Sequence, residues 1–93
     1  DIADIIRCEA NVNYTEFHFI NSKKILVTKT LKDFEEMLKE NGFYRVHQSH
    51  LINTKYIKEF VKTDGGYLIM SDGNSVPVST RKRSEVLSLI ETL

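Results

Sequence analysis

Residues 43 to 53 read FYRVHQSHLIN. Apolar side chains stand at both ends, Phe43 and Tyr44 at one and Leu51 and Ile52 at the other. Between them Arg45, His47, Gln48, Ser49 and His50 surround a single Val46. A strand buried on both faces would not carry so many polar groups, because each needs a hydrogen-bond partner once water is gone. A plain surface loop would not need the apolar flanks. Phe43, Val46, Leu51 and Ile52 therefore read as anchors, residues 43 to 46 as a short extended segment, and His47 as an internal hydrogen-bonded tie. Gln48, Ser49 and His50 are left pointing outward.

Upstream of this stretch the pattern is that of strands. Residues 5 to 10 open with Ile5-Ile6, and Asn11 and Asn13 then mark a turn. Residues 14 to 20 alternate, with Phe17 and Phe19 flanking His18. After the turn Asn21-Ser22-Lys23, residues 24 to 29 centre on Ile25-Leu26-Val27, and the three strands suggest an antiparallel meander. Thr30 changes the period. Leu31, Phe34, Met37 and Leu38 fall at helical spacing, Thr30 suits an N-cap, Asp33 favours the dipole of the first turn, and Asn41-Gly42 supplies a stop.

Downstream, residues 56 to 62 read as a strand, turned by Asp64-Gly65-Gly66 into Tyr67-Leu68-Ile69-Met70. Asp72-Gly73 turns the chain again into residues 75 to 78, where Pro77 predicts an edge position. Ser79 reads as a second N-cap, opening a helix with Val86, Leu89, Ile90 and Leu93 on one stripe and Arg81, Lys82 and Arg83 in its first turns. Cations there oppose the helix dipole, a hint that they serve something external. The expected architecture is mainly β, with one central helix and one C-terminal helix, in a single domain over residues 1–93.

The 93 residues allow one modest core. The 41% hydrophobic and 28% charged content is that of an ordinary globular protein, and apolar runs as short as Ile25-Leu26-Val27 predict no membrane span. Asp1-Ile2-Ala3-Asp4 begins abruptly, without methionine or a leader pattern, as expected of a domain excised from a longer protein. Cys8 is the lone cysteine, so no internal disulfide forms, and a reducing cytoplasm suits it. Net charge is zero, against a globally basic nucleic-acid binder, but its distribution is uneven. Residues 1 to 20 carry one cation and four anions; residues 43 to 83 carry seven cations and three anions. A neutral total can hide a basic face.

Three chemistries were open to these residues. His47 and His50, three apart with no cysteine or carboxylate nearby, are a poor metal pair, and no metal site or cofactor is expected from them. His47, Ser49 and His50 could supply a base and a nucleophile, but there is no nucleophile elbow, phosphate-cradling glycine loop or placed carboxylate pair, so an enzyme is not expected. Nucleic acid fits best. Residues 11–14, 45–50 and 79–83 each follow or end a strand and carry Asn, Gln, Arg and Ser, groups that bond base edges and phosphates. Asn11 and Asn13 alone would pass for turn formers, Tyr14 for a strand-end core residue, and the Arg81–Arg83 cluster for a solvated helix start. A β-rich module that binds a protein partner through the same loops is the alternative, separable by salt-dependent binding to duplex DNA.

The same stretch resembles the signature of the LytTR DNA-binding domain, F-x-R-x-H-x-S-x-h-h-N with h apolar. The resemblance continues through Glu9-Ala10-Asn11-Val12-Asn13-Tyr14, Thr30-Leu31 and Val76-Pro77-Val78-Ser79-Thr80-Arg81, covering nearly the whole chain in order. It implies an elongated sandwich of short antiparallel strands. It further implies a DNA-binding output domain of bacterial response regulators, with a receiver in the same full-length chain, that binds promoter direct repeats as a dimer, inserts loops into successive grooves and bends the duplex. Carried over by position, Tyr14, Gln48 and Arg81 are implied to read bases, and Asn13, in the same loop as Tyr14, is expected to join them. Ser49 and Ser79 are implied to hold phosphates, and His47 and Asn53 to shape the loops; Thr30 and Lys32 near a helix N-terminus, with His50, Lys82 and Arg83, are expected to hold phosphates too. Position 50, often aromatic in the family, is His50 here.

Overall fold

The opening stretch is a β-hairpin. In the structure, a computed structural model describing residues 1–63 and 65–92, β4 (Phe43–His47) and β5 (His50–Asn53) pair antiparallel, leaving Gln48 and Ser49 as the two-residue tip. Residues 50–53 are thus a second strand, where the sequence reading placed an extended segment over residues 43 to 46 alone. Half the pair's side chains do face the interior: Val46, Leu51 and Ile52 are fully enclosed and Phe43 nearly so. At Val46 the register slips between Arg45 and His47. That irregularity breaks the simple alternation by which a half-buried strand is recognised.

This hairpin is one end of a five-stranded antiparallel sheet. The other members are β1 (Ile5–Ala10), β2 (Thr15–Phe19) and β3 (Lys24–Val27), in spatial order β3-β2-β1-β5-β4. The first three strands form the expected meander, and β5 docks beside β1 with Cys8 opposite Leu51. A second, three-stranded sheet consists of β6 (Ile57–Val61), β7 (Tyr67–Met70) and β8 (Ser75–Pro77), with β8 and its Pro77 at the edge. Two helices complete the chain, α1 (Leu31–Leu38) and α2 (Arg83–Glu91).

Each face of the larger sheet has its own core. On one side α1 lays Leu31, Phe34 and Leu38 over Cys8, Phe17, Phe43 and Leu51, with the Phe17 and Phe34 rings edge to face at 4.7 Å. On the other, Ile6, Val46 and Ile52 meet Leu68, Met70, Val76 and Val86 of the second sheet and α2. Each fully buried aliphatic side chain stabilises by about 1.5–3 kcal/mol relative to exposure. Asn53, itself buried, ties β5 to β1 and caps the 3-10 turn that follows: its Nδ2 donates to the Ile5 carbonyl at 3.0 Å and its Oδ1 accepts from the Lys55 N–H at 3.1 Å.

Local expectations held with some shifts. Thr30 caps α1, its hydroxyl oxygen accepting from the Asp33 N–H at 3.3 Å, and Gly42 takes φ +86° after a 3-10 turn, Lys39–Asn41. Met37 is 61% exposed, on the flank of α1 and not in the core. The third strand stops at Val27; beyond it, the Lys29 carbonyl accepts from the Thr15 hydroxyl at 2.8 Å. Tyr56 lies in a 3-10 turn before β6, donating its hydroxyl to the Ala3 carbonyl at 2.6 Å. Ser79 makes no side-chain cap: a 3-10 turn, Thr80–Lys82, intervenes before α2. On α2 Val86 is enclosed and Ile90 packs partly against the core. Asp64 of the expected turn and Leu93 of the expected stripe lie outside the described residues. No helix among the described residues is long and apolar enough to cross a membrane.

Candidate nucleic-acid interface

The hairpin tip is held from beneath by one residue. Arg45 donates from Nε to the His47 carbonyl (3.1 Å), from Nη2 to the Gln48 carbonyl (2.6 Å) and from Nη1 to Glu35 on α1 (2.9 Å). The planar fork of Arg matches several fixed acceptors at once, which a lysine cannot do. His47 adds a second tie, its Nδ1 accepting from the Ser49 N–H at 3.0 Å, and the Ser49 carbonyl accepts from the Ala10 N–H at 2.9 Å. Three carbonyls and one N–H of the tip backbone are thereby satisfied internally, and the Gln48 side chain is exposed.

Two further segments flank the tip. In the first loop, the Asn11 N–H donates to the Tyr14 carbonyl at 2.8 Å, its side chain donates to Glu16 at 3.0 Å, and Asn13 is exposed with Tyr14 half-buried. On the other side, the Ser79 N–H donates to the Val46 carbonyl at 2.8 Å, which fastens the turn bearing Arg81 and Lys82 against β4. The result is two open clefts. One, of about 500 Å³, lies between residues 10–15 and 28–32; the other, of about 280 Å³, lies against Ser79, Arg81 and Lys82. Arg45 and Gln48 line both, so the tip is the ridge between them. The cations lining them are Lys29, Lys32, Arg45, Arg81 and Lys82; the one acid is Glu35, engaged by Arg45. A neutral chain thus concentrates positive potential on one edge, as polyanion binding requires.

The structure brings together Asn13, Tyr14, Gln48, Arg81, Thr30, Lys32, Ser79 and Lys82 along these clefts. It does not bring three expected residues there. Ser49 is at the tip but outside both cleft linings. Arg83 turns away, its Nη2 donating to the Lys62 carbonyl at 2.7 Å to tie α2 to the second sheet. His50 is half-buried on β5, its Nδ1 enclosed without a partner, and burial pushes its pKa down to about 4. The ring is neutral at pH 7 and offers no cation to a phosphate. Sequence reasoning missed the Arg45 clamp and its Glu35 anchor. The Arg45-Gln48 spacing was visible; nothing in the sequence pointed to Glu35.

Comparison with known proteins agrees with this geometry. The family model of the LytTr DNA-binding domain matches residues 1–91. The chain is 31% identical, over 97% of its length, to the heme-containing CO-sensing transcriptional regulator RcoM 2 of Paraburkholderia xenovorans, and spans 34% of that protein. It is 41% identical, over 69% of its length, to the sensory transduction protein LytT of Bacillus subtilis, and spans 27% of it. A solved LytTr DNA-binding domain from Bacillus cereus superposes with a TM-score of 0.83 at 26% identity, covering 95% of this chain and 82% of that one. Fold and surface thus define a DNA-binding domain of the transcription-regulator class, a regulatory and not a catalytic fold. The chain belongs to the LytTR family.

Proposed function

We propose that the domain reads promoter DNA with three loops presented by one edge of the larger sheet. Gln48 at the hairpin tip, Asn13 and Tyr14 on one side and Arg81 on the other contact base edges. Lys32, Thr30 at the start of α1, Ser49, Ser79 and Lys82 hold phosphates, and Arg45 sets the tip. The observation that carries this reading is the pair of cationic clefts sharing Arg45 and Gln48. Loops that are tied to the sheet favour deformation of the duplex over deformation of the protein, and so bending.

On this reading the full-length protein is a response regulator with a receiver ahead of the domain, and two copies bind tandem sites. Support comes from the LytT relatives, sensory transduction proteins of which this chain spans about a third or less. Selection from randomised duplexes should return one consensus site. Probes carrying it at permuted positions should then differ in gel mobility. A domain that selects no site, or a site whose mobility is independent of position, refutes groove insertion with bending.

A further inference from the structure

Away from the loops, the face of the larger sheet opposite α1 carries a compact group of ligand-type side chains. Register sets Glu16 of β2 directly opposite Glu9 of β1, and Glu9 opposite His50 of β5. His18 lies two residues beyond Glu16 on the same strand, hence on the same face. One ligand atom each from Glu9, Glu16 and His18 falls within 4.8 Å of the others, and all three residues are half-buried. Like charges directly across a ladder repel, so the two carboxylates need a cation between or beside them. Arg7 serves Glu9 in part, its Nη1 donating to Oε1 at 2.9 Å; Lys24, more than half exposed, is 3.9 Å from Glu16.

The surrounding polar atoms are incompletely satisfied. Among the described residues, enclosed ring nitrogens of His18 and His50 beside Glu9 have no hydrogen-bond partner, while the enclosed Arg7 Nε lies 3.5 Å from Asp72 Oδ2. The His18 Nε2 faces Glu16 Oε1 at 3.3 Å, an approach an ion between them would draw together. Such orphans in a folded interior ask for a bound water or ion. Burial holds the His18 imidazole below its ordinary pKa, and the hydrogen bond from Asn11 holds the Glu16 carboxyl below its own. Cys8, on the opposite face with its thiol pushed up to about 12 by burial, is not a competing ligand.

We propose that Glu9, Glu16 and His18 form a divalent-cation site, with zinc the first-row ion best matched to one imidazole and two carboxylates. Three protein ligands leave the fourth tetrahedral position to water. Tetrahedral ligation places donor atoms roughly 3.4 Å apart, so side-chain adjustment of about 1 Å closes the group on the ion. The site connects to the loops. The same Glu16 carboxylate accepts from Asn11, whose backbone N–H holds Tyr14, and β1 continues from Glu9 into Ala10, bonded to Ser49 at the tip. An ion here neutralises acidic charge behind the DNA-facing edge. This consequence, unlike the site itself, rests on the proposed DNA reading.

The test is a zinc chloride titration of the metal-free domain, followed by ¹⁵N NMR of the histidine rings and by calorimetry. The His18 ring signals should shift and saturate at one equivalent, and Glu9→Gln should weaken binding at least about tenfold. No saturable change at His18 up to millimolar zinc, a response at His47 in its place, or unaltered binding by Glu9→Gln overturns the site. The ring signals are read in the unmodified chain, so an unfolded variant cannot obscure the result. In the DNA arm, zinc should tighten binding about threefold to tenfold at low salt. Saturation of His18 with unchanged DNA affinity overturns the coupling and keeps the site. Loss of DNA binding with and without zinc, with His18 still saturating, refutes the loop reading and the coupling that rests on it, while the site stands.

Discussion

Arg45→Lys is the most informative single change, because it keeps the charge and removes the fork. Arg45 satisfies two tip carbonyls and Glu35 together, at 3.1, 2.6 and 2.9 Å. A lysine ammonium at that position can serve one of these acceptors well, so two hydrogen bonds from a charged donor are lost. Each contributes about 1.5–3 kcal/mol when sheltered. The Arg45 side chain is 21% exposed and Glu35 39%, so water restores part of the loss. The expected cost is about 1.5–3 kcal/mol, divided between global stability and order at the tip. If about half falls on the tip, affinity for the selected duplex drops by about fourfold to twelvefold. Fluorescence anisotropy on that duplex, paired with urea unfolding, measures both shares.

A double-mutant cycle with Gln48→Ala then tests whether Arg45 works by aiming Gln48. If it does, the two losses in DNA affinity overlap by about 1 kcal/mol, since an unaimed Gln48 has little left to lose. Losses that add within about 0.5 kcal/mol would refute the clamp as a device for positioning Gln48, and Arg45 would then contact DNA on its own account.

Other perturbations follow from the same geometry. Arg81→Ala should cost about 1–3 kcal/mol on the selected site and much less on random duplex, read by competition binding; equal losses would make Arg81 a backbone contact. Gly66→Ala should lower urea stability by about 1–3 kcal/mol, because φ is +96° there and a Cβ would sit 2.9 Å from the Phe60 ring. The His50 pKa is depressed to about 4 on folding, so the unfolded chain binds its proton more readily and stability falls as pH drops from 6.5 toward 4. In chelator, His50→Gln should flatten that part of the profile by at most about 2 kcal/mol after allowance for partial exposure; an unchanged slope would place the titration elsewhere.

The legible parts of the fold were those with one period and one environment. The β1–β3 meander, the Thr30 cap and the Pro77 edge came directly from alternation, capping and backbone chemistry. The β4–β5 hairpin did not, because its polarity changes along the strands as well as across them. Near Phe43 and Ile52 both faces of the sheet are covered, by α1 and by the second sheet, and the side chains are apolar on both sides. Toward Gln48 the covering layers end and both faces turn polar. Of the site, Asn13, Tyr14, Gln48 and Arg81 were reachable through family resemblance. The Glu35 anchor was not, since it acts from another element ten residues away. The Glu9–Glu16–His18 group escaped because register, and not spacing, assembles it.

The loops share a feature that constrains how any duplex can be bound. Each is bonded to the sheet at its base: Asn11 to Glu16, Arg45 to Glu35 and both tip carbonyls, and Ser79 to the Val46 carbonyl. Little backbone freedom remains to be lost on binding, which favours affinity through preorganisation. The same ties prevent the edge from moulding itself to straight DNA. If three fixed projections engage grooves spaced over about one turn, any mismatch in their spacing falls on the duplex, and easily kinked pyrimidine–purine steps are the least costly place to absorb it. Sites that bind well should therefore carry such steps between the contacted bases, at positions no side chain touches. Loosening the tip with Arg45→Lys should weaken the preference for those steps together with the bend angle. A preference for kinkable steps that survives in Arg45→Lys would separate bending from the rigidity of the hairpin tip.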